Sequence, residues 1–328
     1  MNIDLHSHVI PQRFVDAVQA RPSVLQAQVE QSDGKRRIVH DQGYAYPLFD
    51  EFVSVDAKLE AMDRKGLDMS VLSPAPPTFT YWADQALATE VVQTVNDGVA
   101  EMVAQQPDRL RGMGILPMQH PEAAVTELER IVREHGFKAI EIGTSIENER
   151  LSSDRLRPIL QKAQELNVYI QTHPYYIGTK PGLEDYYLTN LFGNPYETAL
   201  MAADLMLSGT LDALPGLRVG LVHGGGFLPY QIGRLVHGHQ ARTETRANTA
   251  TSPLDLLRRF YIDTLLFEPK AIRFLVDLVG ADRVFLATDA PFDMGDETPV
   301  DMIRSVDGIT DEDKRMILGG TALSVLGE

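Results

Sequence analysis

The chain has 328 residues, 44% of them hydrophobic, and no linker-like or low-complexity stretch, so residues 1–328 read as one domain able to bury a large core. A net charge of -16 argues against a nucleic-acid surface, and the lack of cysteine excludes disulfides and thiolate ligands, leaving histidine and carboxylate for any metal. No run of about 18 or more apolar residues suggests a membrane span, and Asp4, His6 and His8 interrupt anything resembling a signal peptide, so a cytoplasmic location is expected.

The chain opens on Ile3-Asp4-Leu5-His6-Ser7-His8, an alternation that reads as a β-strand. Side chains alternate in direction along a strand, so His6 and His8 leave on the same face. A short helix is expected over Pro11 to Ala20. Residues 24–48 then depart from the later rhythm: Leu25 to Glu30 and Arg36 to His40 flank an Asp33-Gly34 turn, the signature of a small β-hairpin insertion with Lys35, Arg36 and Arg37 near its tip.

From Val55 onward strands and amphipathic helices alternate. A helix through Lys58 and Met62 precedes a strand at Met69–Ser73; a helix over Ala83–Gln105 precedes a strand at Arg111–Pro117. The helix Glu122–His135, strand Phe137–Gly143, helix Leu156–Leu166 and strand Val168–His173 follow. Then come the helix Thr198–Ser208, strand Val219–His223, strand Tyr261–Leu266, helix Lys270–Leu278 and strand Val284–Asp289. About eight strands, each followed by a helix, predict an α/β (β/α)8 TIM barrel, with the hairpin insertion after strand 1. A doubly wound open sheet is the alternative, weakened because no Gly-x-Gly-x-x-Gly follows the first strand.

Such a barrel gathers its active site at the C-terminal ends of its strands. His6, His8, His173, His223 and Asp289 all fall there. His6, His8, His173 and Asp289 form an all-N/O set suited to Zn²⁺ and open to Mn²⁺, Co²⁺ or Fe²⁺. His223 suits acid/base work better than ligation, because a neutral imidazole titrates near neutrality, and the glycines after it let backbone approach a ligand.

The opening strand motif, Tyr81-Trp82, Gly114-Ile115-Leu116-Pro117-Met118-Gln119, Gln171-Thr172-His173-Pro174, His223-Gly224-Gly225-Gly226, Gly233-Arg234 and Thr288-Asp289-Ala290-Pro291-Phe292 occur in one collinear order. Together they resemble the amidohydrolase superfamily, in its amidohydrolase-2 branch of metal-dependent decarboxylases. The resemblance implies one divalent metal, usually zinc, held by His6, His8, His173 and Asp289, with His223 as the acid/base histidine beside Asp289. It also implies an arginine on the insertion that grips a substrate carboxylate, matched by Arg37 or, because the local alignment is gapped, Arg36. A second arginine, donated across a homodimer interface, is matched by Arg242. Trp82, Tyr175 and Asn190 fall at pocket positions.

The chain departs from the branch where Tyr175 and Asn190 replace tryptophans, where Asp293 ends the last motif in place of proline, and where Glu141 replaces an uncharged residue on strand four. The expected function is therefore metal-dependent, non-oxidative decarboxylation of a small unsaturated or aromatic carboxylic acid. Hydrolysis of an amide, lactone or related bond is the alternative, since it uses the same ligand set. A non-catalytic metal-binding scaffold is disfavoured by the complete set of chemical groups.

Overall fold

In the computed structural model, which describes residues 1–32, 34–175 and 181–328, the opening alternation is a strand over Ile3–Val9 (β1), buried along its whole length. Seven more strands pair with it in chain order: Met69–Pro74 (β2), Leu110–Gly114 (β3), Ala139–Gly143 (β4), Tyr169–His173 (β5), Arg218–Leu221 (β6), Phe260–Asp263 (β7) and Val284–Phe285 (β8). Every neighbouring pair is parallel. The sheet closes on itself, because Leu5 N–H donates to Leu286 O at 3.1 Å and His8 N–H to Ala290 O at 2.7 Å, with Ser7 bridging Ala290. This is the (β/α)8 barrel, and it has no open-sheet edge of the doubly wound kind.

The helices fall between the strands at Val55–Lys65, Gln85–Gln105, Pro121–Glu134, Arg157–Glu165, Asn194–Leu207, Leu228–Ala241 and Pro269–Val279. Local chemistry sets their ends. Ser54 and Asp84 accept from Ala57 and Leu87 N–H groups as N-caps, and Gly66 ends the first of these helices at φ 71°. Several helices begin earlier than the periodicity predicts because a proline occupies the first turn, where its missing N–H costs nothing. Among the described residues no helix is long and apolar enough to cross a membrane.

Several strands are shorter than expected, β3 and β8 for a common reason. Side chains capture the backbone just past the strand end: Asn96 Oδ1 accepts from Ile115 N–H at 2.8 Å after β3, while Thr264 Oγ1 and Asp4 Oδ1 accept from Ala287 and Thr288 after β8. The insertion is richer than a hairpin. Ala27–Ser32 pairs antiparallel with Lys35–His40, which also pairs with a third strand, Ala45–Pro47, too short to show a period. Asp33, half of the expected turn, lies outside the described residues.

One apolar cluster, with Ile3, Leu5, Val71, Met113, Tyr169 and Phe285, is roofed by the C-terminal helix Thr321–Leu326; a larger one fills the space between barrel and helices. Gly220 makes room in the barrel interior, where a Cβ would stand 1.7 Å from Tyr169 Oη. Along β1 the pairing runs Asp4 to Ser70 and then Ser7 to Leu72, three steps against two. That extra residue is a β-bulge, and it lets Leu5 low in the strand and His6 above it both meet the barrel interior.

Candidate metal centre and substrate cavity

His6 and His8, both fully buried, meet with their Nε2 atoms 3.0 Å apart. His173 ends β5, and Asp289 is drawn in from the segment after β8 by its own N–H, which donates to His6 O at 2.9 Å. One ligand-type atom from each of these four residues lies within 4.8 Å of all the others. The seam where the first and last strands meet therefore supplies three of the four.

The donor set fits a divalent cation. The outer nitrogen of each ring is already engaged: His6 Nδ1 with Asp263 Oδ2 at 3.1 Å, His8 Nδ1 with Ser73 Oγ at 3.3 Å, and His173 Nδ1 with the Pro174 carbonyl. Acceptors at Nδ1 place the proton there and leave the Nε2 lone pairs free to converge. Among the described residues His173 Nε2 and Asp289 Oδ1 are buried with no hydrogen-bond partner, a deficit that a shared cation removes. Donors on one such ion stand roughly 3–3.5 Å apart. The Asp289 Oδ1 separations of 3.0 Å from His8 Nε2 and 3.5 Å from His6 Nε2 match that spacing.

Protonation follows the same geometry. Burial disfavours a charged His6, but the hydrogen bond to Asp263 and the charges of Asp289, Asp263 and Glu141 outweigh it and raise its pKa to about 9. Burial holds His173 neutral, helped by the neighbouring His8 and His223 imidazoles. Burial works against ionising Asp289, yet the surrounding imidazoles of His223, His8 and His6 hold its pKa well below the usual carboxylate range.

His223 stands at the cavity face of this cluster, its Nε2 3.7 Å from Asp289 Oδ2. Asp289 thus turns Oδ1 to the ligand histidines and Oδ2 to His223. Both residues have a left-handed backbone, each with φ 55°, a conformation that non-glycine residues adopt only where surrounding contacts impose it. For His223 the contact is Asp263, whose Oδ2 accepts its N–H at 2.9 Å while Oδ1 accepts the Gly224 N–H at 2.6 Å. One buried carboxylate therefore orients both the His6 ring and the His223 loop.

Above the cluster lies a cavity of about 210 Å³, walled by Tyr44, Tyr46, Tyr175, Tyr187 and Phe292, with Asn190, Asn194 and Asp293 as polar groups. Tyr175 is braced edge-on by Tyr81, their ring centroids 5.2 Å apart, and Tyr46 Oη lies 3.1 Å from His40 Nε2. The structure brings Tyr175 and Asn190 together with His173, His223 and Asp289. It does not bring the other expected contacts there. Arg37 pairs with Glu30 at 2.6 Å, Arg36 reaches Asp50 at 3.5 Å, and both border a neighbouring groove. Arg242 is exposed and paired with Glu244 at 2.6 Å, and Trp82 is half-buried outside the cavity lining.

Glu141 is fully buried below His8 and does not line the cavity. Gln171 Nε2 donates to its Oε2 at 2.7 Å, while Oε1 stands 3.9 Å from His8 Nδ1 without a hydrogen-bond partner. Sequence reasoning missed Asp263, Ser73 and the wall formed by Tyr44, Tyr46 and Tyr187. Asp263 carried a signal, since it lies in an expected barrel strand and has ligand-type chemistry. Tyr44 and Tyr46 carried none, because the strand Ala45–Pro47, which one precedes and the other occupies, is too short to read.

This barrel with its His/Asp centre is that of a metal-dependent enzyme class, and the chain belongs to the amidohydrolase family, whose model (Amidohydro_2) matches residues 3–327. It is 32% identical over 329 residues to 2-amino-3-carboxymuconate-6-semialdehyde decarboxylase of Dictyostelium discoideum, covering 100% of this chain and 92% of that protein. It is 33% identical over 282 residues to gamma-resorcylate decarboxylase of Polaromonas sp., covering 81% and 85%. Among solved structures, a dihydroxybenzoic acid decarboxylase from Polaromonas with bound manganese and the inhibitor 2-nitroresorcinol superposes with a TM-score of 0.81 at 25% identity, covering 99% of this chain and 96% of that one.

Proposed function

We propose that this protein is a carboxy-lyase, a metal-dependent non-oxidative decarboxylase of a small aromatic or unsaturated carboxylic acid. The observation that carries the reading is the two-sided contact of Asp289, with one oxygen toward the ligand histidines and the other toward His223 on the cavity face. His6, His8, His173 and Asp289 would hold the ion, which supplies a fixed positive charge for the substrate's oxygens. The aromatic cavity wall orients a planar acid over His223. The His223–Asp289 pair delivers a proton to the carbon bearing the carboxylate; the C–C bond then breaks, its electron pair returns to the ring or conjugated system, and CO₂ leaves. Zinc is the proposed native ion, with manganese, cobalt or iron(II) compatible with the same donors.

The test is a screen of hydroxybenzoic and unsaturated dicarboxylic acids for released CO₂, run on protein of measured metal content before and after chelation. CO₂ is expected only from the metal-loaded protein. Acid production from amides or lactones with no CO₂ from any acid would instead establish the hydrolytic alternative, which none of the relatives described above supports.

The same reading includes a cytoplasmic homodimer. Tyr230 and Phe274, 82% and 43% exposed with ring centroids 6.2 Å apart, support an interface along the helix that ends beside Arg242. With Arg242 reaching the partner's cavity, Arg242→Ala should raise KM for a carboxylate substrate by about tenfold, the order expected for one lost charge-assisted hydrogen bond. Mixed dimers of Arg242→Ala with His223→Ala should regain part of the activity. No regain in verified mixed dimers would mean that each site is self-contained.

A further inference from the structure

Two chambers that differ in the polarity of their far walls meet at His223 and Asp289. The first is the cavity already described, whose aromatic wall carries two amides, Asn190 and Asn194, and the carboxylate of Asp293. The second, about 370 Å³, opens on the other side of His223 and Asp289 and shares only those two residues, Asn190 and Met294 with the first. Its remaining wall among the described residues is apolar: Leu191, Pro195, Phe227, Leu265, Leu266 and Phe267, with Gly226. Phe267 is held at φ 53°, which a bulky residue adopts only under constraint, so this side chain's placement is built into the loop after β7.

A ring positioned for proton transfer from His223 lies where the chambers join. Its substituents must then divide between them. Hydroxyl groups find amide partners in Asn190 and Asn194 on the first side, whereas a hydroxyl carried into the second chamber past His223, Asp289 and Asn190 would be desolvated among apolar side chains. An apolar substituent gains there what it loses in water.

Resting on the decarboxylase reading, we propose that the second chamber is a subsite for an alkyl-type substituent, so that the substrate class is a hydroxylated aromatic acid carrying an apolar side chain. The test compares dihydroxybenzoic acids bearing hydrogen, methyl, propyl or pentyl ortho, meta or para to the carboxylate. In one positional series kcat/KM should rise about fourfold per buried methylene. In parallel, the affinity of alkylresorcinols for the metal-loaded protein, read by calorimetry, should rise by about the same factor and report the chamber without turnover. Leu191→Glu, at a half-exposed position where folding is not at stake, should flatten both gradients.

A flat or falling response in every series, with the unsubstituted acid still decarboxylated, would overturn the subsite and leave the proposed reaction standing. Absence of CO₂ from all acids, with the alkylresorcinol gradient intact, would overturn the reaction and leave the apolar chamber standing.

Discussion

His223→Ala is expected to bind its metal as the parent does and to lose turnover by about 10²- to 10⁴-fold, the usual contribution of one positioned acid/base group. The imidazole is turned toward Asp289 Oδ2, on the side of that carboxylate away from His6 and His8, so its removal leaves the four donors in place. Metal content by elemental analysis, set beside single-turnover rates of CO₂ release, separates the outcomes. Loss of metal together with activity would make His223 a ligand and not the proton carrier.

Asp263→Asn should be the more damaging change to the molecule as a whole. Asp263 is completely buried and accepts from His6 Nδ1, from the His223 and Gly224 N–H groups, and from Leu265 N–H at 3.2 Å. An amide in its place turns an NH₂ toward donors that need an acceptor, which should cost about 2–4 kcal/mol in urea unfolding. Metal affinity should fall about 10- to 100-fold, as when an outer partner of a ligand histidine is removed.

The pH dependence gives this prediction a second reading. In chelator-stripped protein the raised pKa of His6 contributes stability that is complete below its unfolded value near 6.5 and is lost as pH rises through about 9. Asp263→Asn removes the hydrogen bond that most raises that pKa. The stability gap between parent and variant should therefore be widest near pH 6.5 and narrow toward pH 9. A gap that is constant across this range would show that Asp263 acts on the backbone of the His223 loop alone.

The barrel and the convergence of four ligand-type residues were legible because each rests on periodic signals. Strand and helix repeats placed His6, His8, His173 and Asp289 at strand ends, and a closed barrel brings strand ends together. Contacts set by loop packing left no such trace. Arg37 follows the hairpin faithfully but turns to Glu30 on the adjacent strand, a choice that depends on cross-strand pairing and leaves no mark in charge alone. Glu141 alternates inward along β4 as its position dictates, yet its depth below His8 could be read only once the bulge in β1 had fixed the height of the ligand layer.

The seam between β1 and β8 also sets the order in which the four donors become available along the chain. Asp4 holds Thr288 across 284 positions of sequence, and Asp289 follows Thr288 directly. A chain emerging from the ribosome therefore carries His6 and His8 through the synthesis of the whole segment that separates them from the carboxylate of Asp289. The four donors are complete only when the closing strand is in place, and an ion that binds the closed form alone would favour closure by mass action.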